Sequence, residues 1–365
     1  MTQQSPIRVL IVDDSALVRQ LLTAIFKEDP TIEVVGTAND PYVARDKIKR
    51  LNPDVLTLDI EMPRMDGITF LRNLMRLRPM PVVMISSLTE QGADKTMEAL
   101  AIGAVDFVAK PKADVAEQLT GYGEEIIAKV KAAAQSRPSS PHADRPKGAA
   151  GEPAQVPVRP ARPAAGRPHP ASCQLIAIGA STGGTEAIGE VLQGLPAELP
   201  GIVIAQHIPK GFSAAFARRI DKLSEFTVHE AQDGDVISNG HAFIAPGGQH
   251  LEVVRRGTQL VCRVYTGDPV NRHQPSVDVL FHTVAKLVGA KAIGVILTGM
   301  GADGVEGLAA MHAAGARTLA QDEASSVVWG MPGVAVKRGI ADATLALRDI
   351  PANLTRLASH APAAR

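Results

Sequence analysis

Aromatic residues are scarce in this chain, 3% of 365 residues. That scarcity speaks against stacking platforms for nucleic-acid bases. An excess of charge of either sign is missing too: 38 Lys and Arg face 38 Asp and Glu, for a formal net charge of +0. Nothing therefore marks the whole chain as a binder of nucleic acid. Only two cysteines occur, Cys173 and Cys262, far apart and outside any CxxC. They make neither a disulfide framework nor a zinc site, and free thiols in a reducing compartment are expected. No apolar run approaches the roughly eighteen residues of a membrane span. The start, MTQQSPIRVLIVDD, has no basic segment followed by a long apolar core. A cytoplasmic protein without direct membrane insertion is expected.

What is present is ordinary globular material, 45% hydrophobic and 21% charged, in a length that suits two domains. The composition changes sharply in between. SRPSSPHADRPKGAAGEPAQVPVRPARPAAGRPHP has proline every few residues and almost no large aliphatic side chains. Such a stretch cannot bury enough surface to offset its ordering entropy and reads as a semi-extended tether. The expected organisation is a first domain over residues 1–134, a flexible linker over 135–172, a second domain over 173–358 and a disordered tail over 359–365.

In the first domain, apolar runs of strand length (IRVLIV, IEVVG, DVLTLD, PVVMIS, VDFVA) alternate with helical patterns such as SALVRQLLTAIFKED and GITFLRNLMRLR. That alternation predicts an α/β fold with a parallel sheet and helices on both faces. Sites in such sheets lie beyond the carboxyl ends of the strands. The first strand ends there in Asp13 and Asp14, the third in Asp59 followed by Glu61, the fourth in Ser86 and Ser87, and the fifth in Lys110 before Pro111. Three aspartates on one rim repel one another unless a cation neutralises them, and Mg²⁺ suits one or two carboxylates plus water and phosphate oxygens. With the lysine and the hydroxyl, the set fits an aspartate that accepts a phosphoryl group. As helix caps, Asp14 or Ser15 would be unremarkable; acids, hydroxyl and Lys-Pro at four strand ends together are not explained by capping.

These residues (DD after the first strand, LDIEMPRMDG around Asp59, SS after the fourth, AKP at Lys110) resemble a response-regulator receiver domain over about residues 7–131. The resemblance implies a flavodoxin-like, five-stranded parallel sheet with Asp59 as phosphoacceptor. It implies Mg²⁺ held by Asp14, Asp59 and the backbone carbonyl of Glu61, with Asp13 acting nearby through water. Ser86 is then the switch hydroxyl and Phe107 the switch aromatic, a phenylalanine where many receivers carry tyrosine.

The second domain opens with LIAIG, a buried strand, and TEAIGEVLQGL, a helix with apolar Ala187, Ile188, Val191, Leu192 and Leu195 on one face. The turn between them, Gly179 to Gly184, matches neither G-x-G-x-x-G nor the lysine-bearing phosphate loop. It matches G-x-S-x-G, with Ser181 on a tight strand-to-helix turn above a helix N-terminus. A serine needs a base, and the base needs orienting. GIVIAQ ends at His207, and AIGVILTGMGADG ends near Thr298 and delivers Asp303. The other histidines are weaker candidates. His229, His241 and His250 lie in a short-strand region with hairpin signals, His273 in a polar loop, and His282 and His312 in helical patterns. The order Ser, His, Asp also differs from the Ser, Asp, His of α/β-hydrolases.

AIGASTGGTEAI, QHIPKGFSAAFARRI, IAPGGQHLEV and GVILTGMGADGVEGL resemble the catalytic domain of the CheB family of chemotaxis protein-glutamate methylesterases over about residues 174–357. An upstream receiver is that family's architecture. The resemblance implies a doubly wound α/β domain with a mainly parallel sheet. It assigns Ser181 as nucleophile, His207 as base and Asp303 as orienting carboxylate, with Thr182 and Met300 near the oxyanion. It further implies a phosphorylation-activated methylesterase and glutamine deamidase, with no cofactor for the hydrolysis and Mg²⁺ for the receiver. The implied partners are methyl-accepting chemoreceptors as substrate and a chemotaxis histidine kinase as phosphodonor, and the chain is expected to be a monomer. The competing expectation is a response regulator with a non-catalytic or DNA-binding output. A DNA-binding output needs a helix-turn-helix with a basic face, and the glycine-rich second half carries no basic helix.

Overall fold

The computed structural model describes residues 5–87, 89–110, 116–136 and 173–359. The expected linker lies outside the described residues from 137 onward, and the expected tail lies outside them after residue 359.

The first half alternates β1 (Ile7–Val12), α1 (Ala16–Lys27), β2 (Ile32–Ala38), α2 (Pro41–Leu51), β3 (Val55–Asp59), α3 (Gly67–Leu77), β4 (Val82–Ser86), α4 (Glu90–Ile102), β5 (Asp106–Ala109) and α5 (Ala116–Gln135). The strands pair in the order β2-β1-β3-β4-β5, all parallel. This is the flavodoxin-like winding. Side chains of β1 alternate between two apolar clusters, Val9 and Ile11 on one face and Leu10 and Val12 on the other. A strand segment buried on both faces must be apolar throughout, which explains the unbroken run from Val9 to Val12 after the partly exposed Arg8. Short polar side chains start the helices: Ser15, Asp40, Asp66 and Thr89 each accept a backbone N–H at an N-terminus.

The second half contains β6 (Leu175–Ala180), α6 (Gly184–Gln193), β7 (Ile202–Gln206), α7 (Ser213–Asp221), β8 (Thr227–Glu230), β9 (His241–Ile244), β10 (His250–Arg256) and β11 (Gln259–Tyr265). It continues with α8 (Val277–Leu287), β12 (Ala292–Ile296), α9 (Val305–Ala313), β13 (Arg317–Gln321), α10 (Met331–Lys337), β14 (Ala343–Leu345) and α11 (Ile350–Ala358). Seven strands form one sheet in the order β14-β13-β12-β6-β7-β9-β8, parallel at every pairing. The antiparallel hairpin expected near His250 is β10 with β11, and it stands apart as its own two-stranded sheet. Alternation along β6 sends Leu175 and Ala177 to one core cluster and Ile176, Ile178 and Ala180 to the other. The sheet is thus covered on both faces, as a doubly wound fold requires.

The two halves share an apolar seam. Helix α4 packs on α7. Phe107 at β5 meets Phe212 at the start of α7, with ring centroids 4.6 Å apart. Both rings are buried, and they belong to one continuous apolar cluster.

Candidate active site

Strands β12, β6 and β7 are neighbours in the second sheet, and each delivers one polar side chain just past its carboxyl end. Ser181 follows β6, His207 follows β7 and Asp303 lies beyond β12. Their side chains meet. His207 Nδ1 is 3.0 Å from Ser181 Oγ, and His207 Nε2 is 2.7 Å from Asp303 Oδ2.

Asp303 is held ionised. Burial works against its charge, but the hydrogen bond from His207 and those from Asn271 and Ser276 hold its carboxyl far below the usual carboxylate range. The donors are specific: Ser276 Oγ at 2.7 Å and Asn271 Nδ2 at 2.8 Å reach Oδ1, and the Val277 backbone N–H at 2.7 Å reaches Oδ2. Ser276 and Val277 begin α8, so the carboxylate also sits at the positive end of a helix. An ionised carboxylate only accepts, so Nε2 of His207 carries the proton. Nδ1 then offers its lone pair to the serine hydroxyl.

The serine turn is compact because its neighbours are small. Gly183 adopts φ +76°, and a Cβ there would collide with Val327. A Cβ on Gly299 would strike Met331 Sδ and sit 2.8 Å from Ser181 Cβ. The turn is tied down by Ser181 N–H to Thr298 O at 3.0 Å and by Gln206 Nε2 to Ser181 O at 2.9 Å. Thr182 is buried and Met300 exposed, and both line the same cleft as Ser181 and His207.

The acidic rim of the first sheet also assembles. One carboxylate oxygen from each of Asp13, Asp14 and Asp59 lies within 4.8 Å of the others. Lys110 Nζ stands 2.9 Å from Asp59 and 3.8 Å from Asp13. Burial, and then the Asp13 charge, push the Asp59 carboxyl up to about 6. Asp13 is likewise raised, mainly by burial, although Lys110 opposes it. Its buried Oδ2 has no hydrogen-bond partner among the described residues. Three crowded hard-oxygen donors with an unsatisfied buried oxygen fit a divalent cation such as Mg²⁺. Ser15, not Asp14, caps α1, which leaves the exposed Asp14 carboxylate free to face the rim. Ser86 is buried behind this rim, its hydroxyl 2.6 Å from Thr96 Oγ1 and 3.3 Å from Gly92 O on α4.

Comparison with known proteins agrees with both halves. Residues 9–119 match the response regulator receiver domain model, and residues 176–354 match the CheB methylesterase model. A protein-glutamate methylesterase/protein-glutamine glutaminase of Xanthomonas campestris pv. campestris is 56% identical over 99% of this chain and all of its own length. One from Hahella chejuensis is 55% identical over 97% of each. This chain belongs to the CheB family. The solved catalytic domain of Thermotoga maritima CheB methylesterase superposes with a TM-score of 0.50 at 36% identity, covering 51% of this chain and 99% of that one.

In this CheB-family chain the receiver forms a wall of the cleft that holds Ser181 and His207. A cavity of about 710 Å³ is lined by Ser181, His207 and Met300 on one side and by Asp106, Glu124 and Lys129 on the other. Arg272, at the cleft mouth, pairs with Glu124 of α5 at 3.0 Å. Arg218 of α7 pairs with Asp94 of α4, also at 3.0 Å. Lys129 bonds the Phe107 carbonyl at 2.6 Å and lies between Asp106 and Glu125.

The structure adds residues that sequence reasoning did not single out. Asn271 Nδ2 bridges two buried carboxylates, Asp303 and, at 2.7 Å, Asp278 Oδ2. His273, which the sequence places in a polar loop, stacks on His207 with ring centroids 3.6 Å apart and 16° between the planes. The only sequence signal was the crowding of polar side chains in NRHQPS next to a helix start, which does not say what they face.

Proposed function

We propose that Ser181, His207 and Asp303 carry the hydrolysis for which the CheB family is named, cleavage of γ-glutamyl methyl esters and deamidation of glutamines on chemoreceptors. The observation that carries this reading is the unbroken chain of contacts at 3.0 and 2.7 Å across three adjacent strand ends.

Ser181 attacks the ester carbonyl while Nδ1 of His207 takes its proton, and Asp303 stabilises the imidazolium through Nε2–H. The tetrahedral oxyanion lies by the Thr182 and Met300 backbones near the start of α6, whose dipole favours negative charge there. His207 then protonates departing methanol, or ammonia from a glutamine, and activates the water that frees Ser181. Acid–base help of this kind is worth roughly 10²–10⁴-fold. No cofactor is called for. Ser181→Ala abolishes methanol release from methylated receptor membranes while Asp59 still accepts phosphate; release near the wild-type rate would remove the assignment.

Regulation is proposed to come from the receiver. Asp59 accepts the phosphoryl group from a histidine kinase. Asp13, Asp14 and Asp59, with the Glu61 carbonyl, would hold a Mg²⁺ ion, which would supply countercharge for the transfer, and Lys110 at 2.9 Å from Asp59 adds its own. The rotation of Ser86 toward the phosphoryl group gives up its contacts with Gly92 and Thr96 on α4. Helix α4 carries that change to α7, and Phe107 carries it to Phe212. The dock matters because Glu124, Glu125 and Lys129 of α5 line the same cleft as Ser181 and His207, where a receptor helix has to enter. The cleft holds about 710 Å³ while α5 forms its wall. One chain supplies every residue of both sites, which supports action as a monomer. No helix among the described residues is long and apolar enough to cross a membrane, and the protein is proposed to work in the cytoplasm on the receptors' cytoplasmic helices.

A further inference from the structure

Two imidazoles lie face to face in the cleft, and the mechanism uses one of them. We propose that His273 is a positioning residue for the reaction: its ring, stacked on His207, holds the base in the plane that aims Nδ1 at Ser181 and Nε2 at Asp303. This rests on the triad reading and goes beyond it.

His273 is placed rigidly. It closes a two-residue turn in which Val270 and His273 exchange both backbone hydrogen bonds, at 3.1 and 2.9 Å. Asn271 and Arg272 between them adopt φ +52° and +67°, the left-handed pair of a type I′ turn. Asn suits the first position, while Arg at the second is strained where Gly is usual. The turn is anchored to the acid of the triad, because Asn271 Nδ2 reaches Asp303 at 2.8 Å. One short loop therefore grips Asp303 by a hydrogen bond and His207 by a ring face.

The second imidazole is needed because the hydrogen bond to Ser181 is temporary. Once Ser181 is acylated, it has no proton to offer, and Nδ1 loses that partner. The ring is then pinned only at its Nε2 end, where rotation can still swing Nδ1 away from the incoming water. The 3.6 Å stack survives acylation and resists that rotation. His273 suits the task electrically. Burial, then repulsion from His207, pushes it down to about 4 against the pull of Asp303 and Glu125, with Lys129 adding to the repulsion. With the receiver docked it therefore stays neutral beside His207, so the stack holds two rings together without setting two charges face to face.

The test compares His273→Phe, His273→Leu and His273→Ala in the full chain, activated by a small phosphodonor so that the receiver does not cover the cleft. Methanol release reports full turnover, and labelling of Ser181 by a fluorophosphonate reports the first step alone. Phe, which keeps a flat ring, stays within about threefold of wild type. Leu and Ala lose roughly 10- to 100-fold in kcat, the scale of a misplaced catalytic group. Their labelling rates fall less than their turnover, because the stack matters most after acylation. Loss of fold alone would not separate Phe from Leu, which fill similar space. Wild-type turnover in the Ala variant, Leu matching Phe, or labelling falling in step with turnover would overturn the proposal. Ser181→Ala run alongside separates the two readings: if it is inactive while the His273 variants are normal, only the stacking role fails.

Discussion

At the scale of single residues, the site depends on buried polar groups that satisfy one another. Asn271 is the clearest case, since its amide lies between the Asp278 and Asp303 carboxylates. Asn271→Ala leaves the two acids facing each other with fewer donors. A buried group stripped of its partner costs about 1–3 kcal/mol, so the melting temperature falls measurably and methanol release slows with it. Gly299→Ala acts through geometry instead. The new methyl would press on Ser181 Cβ at 2.8 Å, and fluorophosphonate labelling of Ser181 is expected to drop sharply in a chain that still folds. A pH effect belongs here as well. His273 sits near 4 in the folded chain, below the usual 6.5. The unfolded chain therefore binds the proton first, and stability falls as pH drops from about 6.5 to about 4. His273→Phe removes that part of the slope, which denaturant titrations at pH 7 and pH 5 would register; an unchanged slope would contradict a depressed His273.

Elements transmit what residues cannot. The seam between α4 and α7 combines an exposed ion pair, Arg218–Asp94, with the buried contact of Phe107 and Phe212. Exposed pairs are worth about 0.2–1 kcal/mol, whereas truncating a buried phenylalanine costs about 3–5 kcal/mol. Only part of the latter falls on the dock, but about 1.4 kcal/mol already shifts a closed-to-open ratio tenfold. Phe107→Ala is therefore expected to raise the unphosphorylated esterase rate at least about tenfold, and Asp94→Ala by a few-fold at most. Equal effects from the two would mean that the apolar contact does not hold the receiver down.

The molecule as a whole sets an acidic rim and a serine-histidine rim in two halves that meet at the α4–α7 seam. Asp59→Asn leaves Ser181 reactive but is expected to remove stimulation by a phosphodonor, so esterase activity stays at its basal level with and without acetyl phosphate. A chain beginning at residue 173 lacks the α5 wall and is expected to exceed that basal rate; a lower rate would argue against a covering role for the receiver. The parallel sheets, their two-faced burial and the three polar strand ends were all readable in the chain, because strand-length apolar runs and the residues next to them are local facts. So were Ser181, His207, Asp303, Asp59 and Lys110, since each stands at the end of such a run or a few residues beyond it. His273, Asn271 and Asp278 were not, because their value lies in the ring or carboxylate they face. Asn271 and Asp303 are 32 residues apart, and Arg272 and Glu124 are 148 apart. Hydrophobic period alone determines which segments become strands and where their polar ends fall. Only tertiary packing decides which loops from different strands come close enough to stack, bridge or cover, because those contacts depend on distances that no local pattern encodes.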